Sequence, residues 1–240
     1  MTSAPPVQLI SLGSLSANLL WNEQHAVRTG HATCSSIVQD DTLTLVNPGL
    51  PPAAMASRLH ERTGQMPDRV QRVFLTSVDA DHARGLEAFP DATWLAFPPE
   101  LDAARERAES ERDAAVEHGD EEHAESLARH LTALEQIVPT EEGPAPNIDL
   151  FPSVGVTPGC CGLLLPHEGQ TILIAGDAVA SQAHLLAGQI LPCLDRKMAE
   201  ASFTEAIEIA DFIVCGRDGM IPSPGRVPES AGPGHTLPSL

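Results

Sequence analysis

Short apolar runs alternate along this chain with segments whose apolar residues recur at helical spacing, and the alternation predicts a layered α/β arrangement. Residues 7–10, 33–38 and 42–46 are β-rich and bounded by turn residues, so they read as strands. Asn47-Pro48-Gly49 stops the third of these. Residues 53–63 have helical composition and close at Gly64, a residue suited to helix ends. Further strands are expected at 70–75, 93–97, 162–165 and 171–175, with an irregular segment then running to Asp195. Residues 197–210 predict an amphipathic helix with Met198, Phe203, Ile207 and Ala210 along one face, and 212–215 a last strand.

One stretch breaks this rhythm. Residues 99–138 are rich in Ala, Glu, Arg and Leu, interrupted only at Gly119-Asp120, and predict a helical hairpin inserted into the domain. Between 100 and 142 there are 14 Asp and Glu against 4 Arg, which makes the hairpin a solvated acidic arm. His118, His123 and His130 on it are expected to be exposed rather than metal-bound. From Pro222 onward the density of Pro, Gly and Ser suggests a poorly ordered tail. The expected organisation is thus a single domain over 1–221, including the hairpin at 99–138, and a tail over 222–240.

Composition changes the picture in a few respects. At 240 residues the chain can bury one substantial core, and with aromatics at 3% that core must be aliphatic. A net charge of −19 repels phosphate backbones and anionic lipid, which argues against nucleic-acid and membrane partners. No run approaches a membrane span. The start of the chain lacks the basic and apolar regions of a signal peptide, and five cysteines is an odd number for a disulfide framework, so reduced thiols and a cytoplasmic location are expected.

Candidate chemistry lies in four stretches, each just before or after an apolar run. They are Leu75-Thr76-Ser77-Val78-Asp79-Ala80-Asp81-His82-Ala83-Arg84-Gly85, Thr157-Pro158-Gly159, Ile172-Leu173-Ile174-Ala175-Gly176-Asp177, and Asp211-Phe212-Ile213-Val214-Cys215-Gly216-Arg217-Asp218-Gly219. In order and spacing they resemble the metallo-β-lactamase superfamily, whose first motif reads His-x-His-x-Asp-His. The resemblance spans roughly residues 7–221 apart from the hairpin. It implies a four-layer αββα sandwich with two metals at one edge, held by loops at strand ends.

The same resemblance implies that most ligand positions hold other residues. Ser77, Asp79, Asp81 and His82 stand at the first motif, Asp177 at the bridging carboxylate and Arg217 at the final histidine. The intervening histidine falls on Val156, or on Cys160 in a second register. Only Asp81, His82 and Asp177 keep a family ligand, and a metal left with Asp79 and Asp177 alone has no imidazole, which is a poor zinc site.

Two arrangements satisfy the charges. In one, Arg217 and His82 neutralise Asp79, Asp81 and Asp177 in a metal-free salt-bridge cluster. In the other, one divalent cation (Mn, Mg, Fe or Zn) sits on Asp79, Asp81, His82 and Asp177, since oxygen-rich sites suit hard ions. The first leads to a pseudo-enzyme or small-molecule-binding protein. The second leads to a hydrolase of a small ester, thioester, lactone or phosphoester, with Asp81 orienting the water and Arg217 stabilising developing negative charge as the catalytic pair.

Secondary candidates are weaker. Cys160, Cys161 and Cys215 are expected to be inert buried thiols, with a ligand or nucleophile role as the alternative if Arg217 lowered their pKa. His184 is expected to be a helix-start or loop histidine. Pro233-Gly234-His235-Thr236 imitates the family turn but has no strand after it, and reads as coincidence.

Overall fold

The computed structural model describes residues 7–225. Two sheets carry the chain. The first takes β1 (Val7–Ser11), β2 (Cys34–Gln39), β3 (Thr42–Val46), β4 (Val70–Leu75), β5 (Thr93–Ala96) and β6 (Val138–Pro139), side by side in that order. The second takes β7 (Asp149–Pro152), β8 (Cys161–His167), β9 (Gln170–Ile174), β10 (Phe212–Val214) and β11 (Met220–Pro222), running β11-β10-β9-β8-β7. The helices are α1 (Pro52–Thr63), α2 (Ala80–Ala83), α3 (Pro98–Glu117), α4 (Glu121–Glu135), α5 (Gln182–Ala187) and α6 (Arg196–Ile209).

Side-chain alternation decides how these elements stack, because successive residues of a strand face opposite sides. On β4, Val73 and Leu75 join a core shared with Met55 and Leu59 of α1 and Leu101 of α3, while Phe74 between them points the other way. On β9, Ile172 and Ile174 meet Phe74, Ile37 and Val46 in the space between the sheets, whereas Leu173 packs with Phe203 and Ala206 of α6. Three buried clusters therefore separate four layers, helices outside and sheets inside, and the expected αββα sandwich is observed. A strand covered on both faces is nearly all apolar, as Val-Phe-Leu and Ile-Leu-Ile are.

Two hairpins are set by their turns. Asp40 and Asp41 (φ 47° and 62°) join β2 to β3, and Glu168 and Gly169 (φ 49° and 80°) join β8 to β9. Two-residue loops with both φ positive match the right-handed twist of the strands they connect. By contrast, β3, β4, β5 and β6 pair in parallel, as do β9 and β10. Parallel pairing sends the loops after β3 and β4, and those after β9 and β10, out at one edge of their sheet, where ligand crevices of open sheets lie.

The helical hairpin forms as α3 and α4, joined through Gly119 (φ 72°) with Asp120 capping α4 through the His123 amide. His118, His123 and His130 are exposed. The solvated arm expected here needs correcting at its root: Glu100, Leu101, Ala104 and Ala108 of α3 are buried. The irregular segment before Asp195 contains α5, and β7, α2 and β11 also form where no element was expected. Pro222 closes β11, and Ser223 donates to the Ile207 carbonyl at 2.7 Å, so these residues belong to the second sheet's edge. The remainder of the Pro/Gly-rich segment, His235 included, lies outside the described residues. Among the described residues no helix is long and apolar enough to cross a membrane.

Candidate functional site

Backbone contacts gather the loops before any side chain is considered. Asn47, just past β3, sits in the left-handed region (φ 54°) that Asn tolerates. Its carboxamide oxygen accepts from the Thr76 amide and its nitrogen donates to Thr76 Oγ1, both at 2.9 Å, pinning the start of the loop after β4. The Cys161 amide donates to the Thr76 carbonyl at 3.1 Å and the Thr33 amide to the Gly216 carbonyl at 2.7 Å, tying one sheet's edge to the other's. At Gly216 a Cβ would stand 2.3 Å from the Gly176 carbonyl oxygen, and at Gly176 (φ 56°) it would meet Thr76 Oγ1 at 2.7 Å. Only glycine allows the loops after β4, β9 and β10 to meet this closely.

Arg217, on the loop after β10, extends into the junction with its side chain only 7% exposed. Its Nε and one terminal nitrogen donate to the two oxygens of Asp177, each at 2.9 Å, a bidentate fork. The other terminal nitrogen donates to Asp81 Oδ2, also at 2.9 Å. Asp81 Oδ1 in turn takes Arg84 at 3.3 Å, and Arg84 is braced on the carbonyls of Gly30 and Gly49. Burial alone would push Asp177 up. The adjacent charges of His82 and Arg217 more than reverse this and hold its carboxyl well below the usual range. The same carboxylates raise Arg217 further, against its own burial.

His82, on α2, is fully buried and its Nε2 lies 3.6 Å from Asp177 Oδ2, an ion-pair distance too long for a hydrogen bond. Neither ring nitrogen has a hydrogen-bond partner. The structure thus brings Asp81, His82, Asp177 and Arg217 together. Asp79 is not with them. Its carboxylate, 42% exposed, faces Arg107 of α3 at 3.3 Å on one oxygen and the Ser77 hydroxyl at 3.3 Å on the other. The expected four-ligand cation set is therefore not assembled: two of its carboxylates are taken by Arg217, and α3 draws the third away. Among the described residues no group of three or more His, Cys, Asp or Glu could hold a metal ion.

A second polar cluster flanks the first. Glu100, in the first turn of α3, is 4% exposed and reaches across the loops. Its Oε1 accepts from Ser77 Oγ at 2.7 Å and from the Val78 amide at 3.4 Å, and its Oε2 accepts from Thr157 Oγ1 at 2.7 Å and the Gly159 amide at 3.0 Å. Gly159 permits the approach, since a Cβ there would come within 2.1 Å of the Glu100 amide nitrogen. Thr157-Pro158-Gly159 is thus a seat for α3. Beside it opens a cleft of about 530 Å³, lined by Glu100, Ala103, Arg107, Thr157, Cys193 and Leu194 among others.

The family model of the metallo-beta-lactamase superfamily matches residues 27–235. The chain belongs to that superfamily. No curated protein matches it. Solved structures share the superfamily fold at low identity. A Thermotoga maritima protein assigned to the metallo-beta-lactamases has a TM-score of 0.64 at 14% identity, over 90% of this chain and 98% of its own. The hydrolase AbOPH of the beta-lactamase superfamily has 0.63 at 18%, over 93% and 90%. AidC, a dizinc quorum-quenching lactonase with the product N-hexanoyl-L-homoserine, has 0.63 at 15%, over 86% and 78%.

Several residues placed at this edge were not singled out in the sequence. Glu100 was hidden in an acidic helix, where nothing distinguishes one buried carboxylate from its solvated neighbours. Arg84 and Arg107 left no clue because their partners are set by packing. The thiols follow the inert reading: Cys160, Cys161 and Cys215 are buried, and burial pushes Cys160 and Cys215 up to about 12. His184 is a helix-start residue, its Nδ1 2.8 Å from Ser181 Oγ, and burial lowers its pKa.

Proposed function

We propose that this superfamily member works without paired metal ions, as a small-molecule-binding pseudo-enzyme whose former metal edge is closed by internal ion pairs. One observation carries this reading: the Arg217 guanidinium spends its three donor nitrogens on both oxygens of Asp177 and one of Asp81. A guanidinium is always charged, so it neutralises these acids and repels a dication at once. The donor chemistry does not fit a dinuclear zinc centre either. Zinc takes nitrogen and sulfur with some oxygen. Here Ser77 and Thr157 donate to Glu100, and the buried thiols are held protonated. The cleft beside Thr157 and Leu194 is the natural place for a small ligand.

The hydrolase reading with one cation has one observation in its favour, the two unpartnered ring nitrogens of buried His82. Such nitrogens are what a metal uses, but Arg217 must first leave Asp177 for a carboxylate to join them.

Elemental analysis of protein purified without chelator tests the proposal. Metal far below one equivalent per chain is expected, with no chelator-sensitive turnover on a panel of esters, thioesters, lactones and phosphoesters. A stoichiometric metal, or turnover abolished by chelator, overturns it. A variant combining Ser77→His, Asp79→His, Val156→His and Arg217→His is expected to gain zinc affinity. Wild-type protein binding zinc as tightly would also defeat the proposal.

A further inference from the structure

Glu100 occupies a site that the rest of the chain has already built. Its four donors come from two loops: Ser77 Oγ and the Val78 amide after β4, Thr157 Oγ1 and the Gly159 amide before β8. Other contacts hold both loops in place. Thr76 is locked by Asn47 and by the Cys161 amide. The Gly155 amide donates to the Thr157 carbonyl at 3.0 Å, and the Ser153 amide to the Cys160 carbonyl at 2.9 Å. Two hydroxyls and two amides that aim their hydrogens at one buried point suit an anion with two adjacent oxygens.

We propose that these four groups form a carboxylate-binding cradle at the floor of the cleft, and that Glu100 is its built-in occupant, making α3 a stopper. Small monocarboxylates are the chemical class that fits once the Glu100 side chain is shortened. The cleft lined by Glu100, Arg107, Thr157 and Leu194 supplies the way in, with the Arg107 cation at its rim. A neutral amide of the same shape fits worse. Each Glu100 oxygen takes one backbone N–H, so either orientation of a Gln sets its NH2 against a backbone donor. This deepens the metal-independent reading and rests on it, since donors that hold an anion repel a cation.

The test is chemical rescue. Glu100→Ala is expected to melt at least ~4 °C below wild type, a shift that a destabilised domain of this size displays readily. Acetate or formate should restore at least half of that loss, while chloride at equal ionic strength, or acetamide, should not. Wild type, its cradle filled, should ignore acetate. If Glu100→Ala does not fold alone, refolding it in acetate rather than chloride should recover folded protein. Glu100→Gln should melt below wild type, unrescued by acetate, with faster exchange of the Val78 or Gly159 amide. An alanine variant as stable as wild type, rescue no better than chloride or acetamide, or a Gln variant with unchanged melting and exchange overturns the inference. Failure of rescue in metal-free protein refutes only the cradle, whereas stoichiometric metal in wild type refutes the earlier reading.

Discussion

Asp177 and Glu100 are both carboxylates buried at the same edge of the sandwich, 6% and 4% exposed, yet the fold holds them in opposite ways. Asp177 faces a full positive charge from the Arg217 fork, with His82 behind it. Glu100 faces only neutral hydroxyls and amides. The difference shows two routes to an affordable buried acid: one cation delivered by a long side chain, or several weak dipoles delivered by loop geometry. The first concentrates its risk in one residue. The second spreads it over two loops and a helix, and binds the hairpin to the sandwich as it does so.

The sharpest way to break the comparison is to remove the single cation. Arg217→Met leaves Asp177 buried with only His82 nearby, and removing one partner of a buried pair costs about 3–5 kcal/mol. Urea unfolding at neutral pH measures it, and a loss below the value for an exposed pair would mean that Asp177 is not held by Arg217.

Asp177→Asn attacks the same pair from its other side, with an expected loss of about 1.5–3 kcal/mol at neutral pH, the range for hydrogen bonds to charged groups. Its pH dependence has a definite sign. Asp177 is depressed in the folded state, so its contribution is fully present above the unfolded carboxylate value of about 3.9 and is lost as pH falls from there toward the folded value. The stability gap between wild type and Asp177→Asn should therefore be constant from pH 7 down to about 4 and narrow below it. Melting curves across that range check this, and a gap that widens in acid would refute it.

On the Glu100 side the same pressure is steric. Gly159→Ala places a Cβ 2.1 Å from the Glu100 amide nitrogen, and overpacking of this kind costs about 1–3 kcal/mol. Hydrogen exchange should show α3 loosening at its first turn while α6 is unaffected. The smallest effect belongs to Asp79→Ala. Its pair with Arg107 is 42% and 57% exposed, and such pairs contribute about 0.2–1 kcal/mol. A loss comparable to that of Arg217→Met would return Asp79 to the buried cluster.

Legibility followed the range of the interactions. Val73-Phe74-Leu75 and Ile172-Leu173-Ile174 could be read as strands because their apolar runs and bounding turns are local. Asp81, Asp177 and Arg217 follow apolar runs, and only the resemblance placed them together as neighbours. Glu100, Arg84 and Arg107 could not be placed. Their partners Thr157, Gly49 and Asp79 lie 57, 35 and 28 residues away respectively, and local pattern says nothing about such separations.

By itself, then, the sequence determined the alternation of strands and helices, since burial pattern and turn chemistry are written residue by residue, while the two-sheet sandwich and the residues at its loop edge were legible only through the resemblance of its four motifs to the superfamily. Only the tertiary structure decided which acid meets which donor. That choice turned Asp79 out toward Arg107, aimed the three nitrogens of Arg217 at Asp177 and Asp81, and drew Glu100 from an otherwise solvated helix into a cradle of four donors. Its physical reason is that charge pairing depends on distance and burial, and neither exists until the loops have closed on one another.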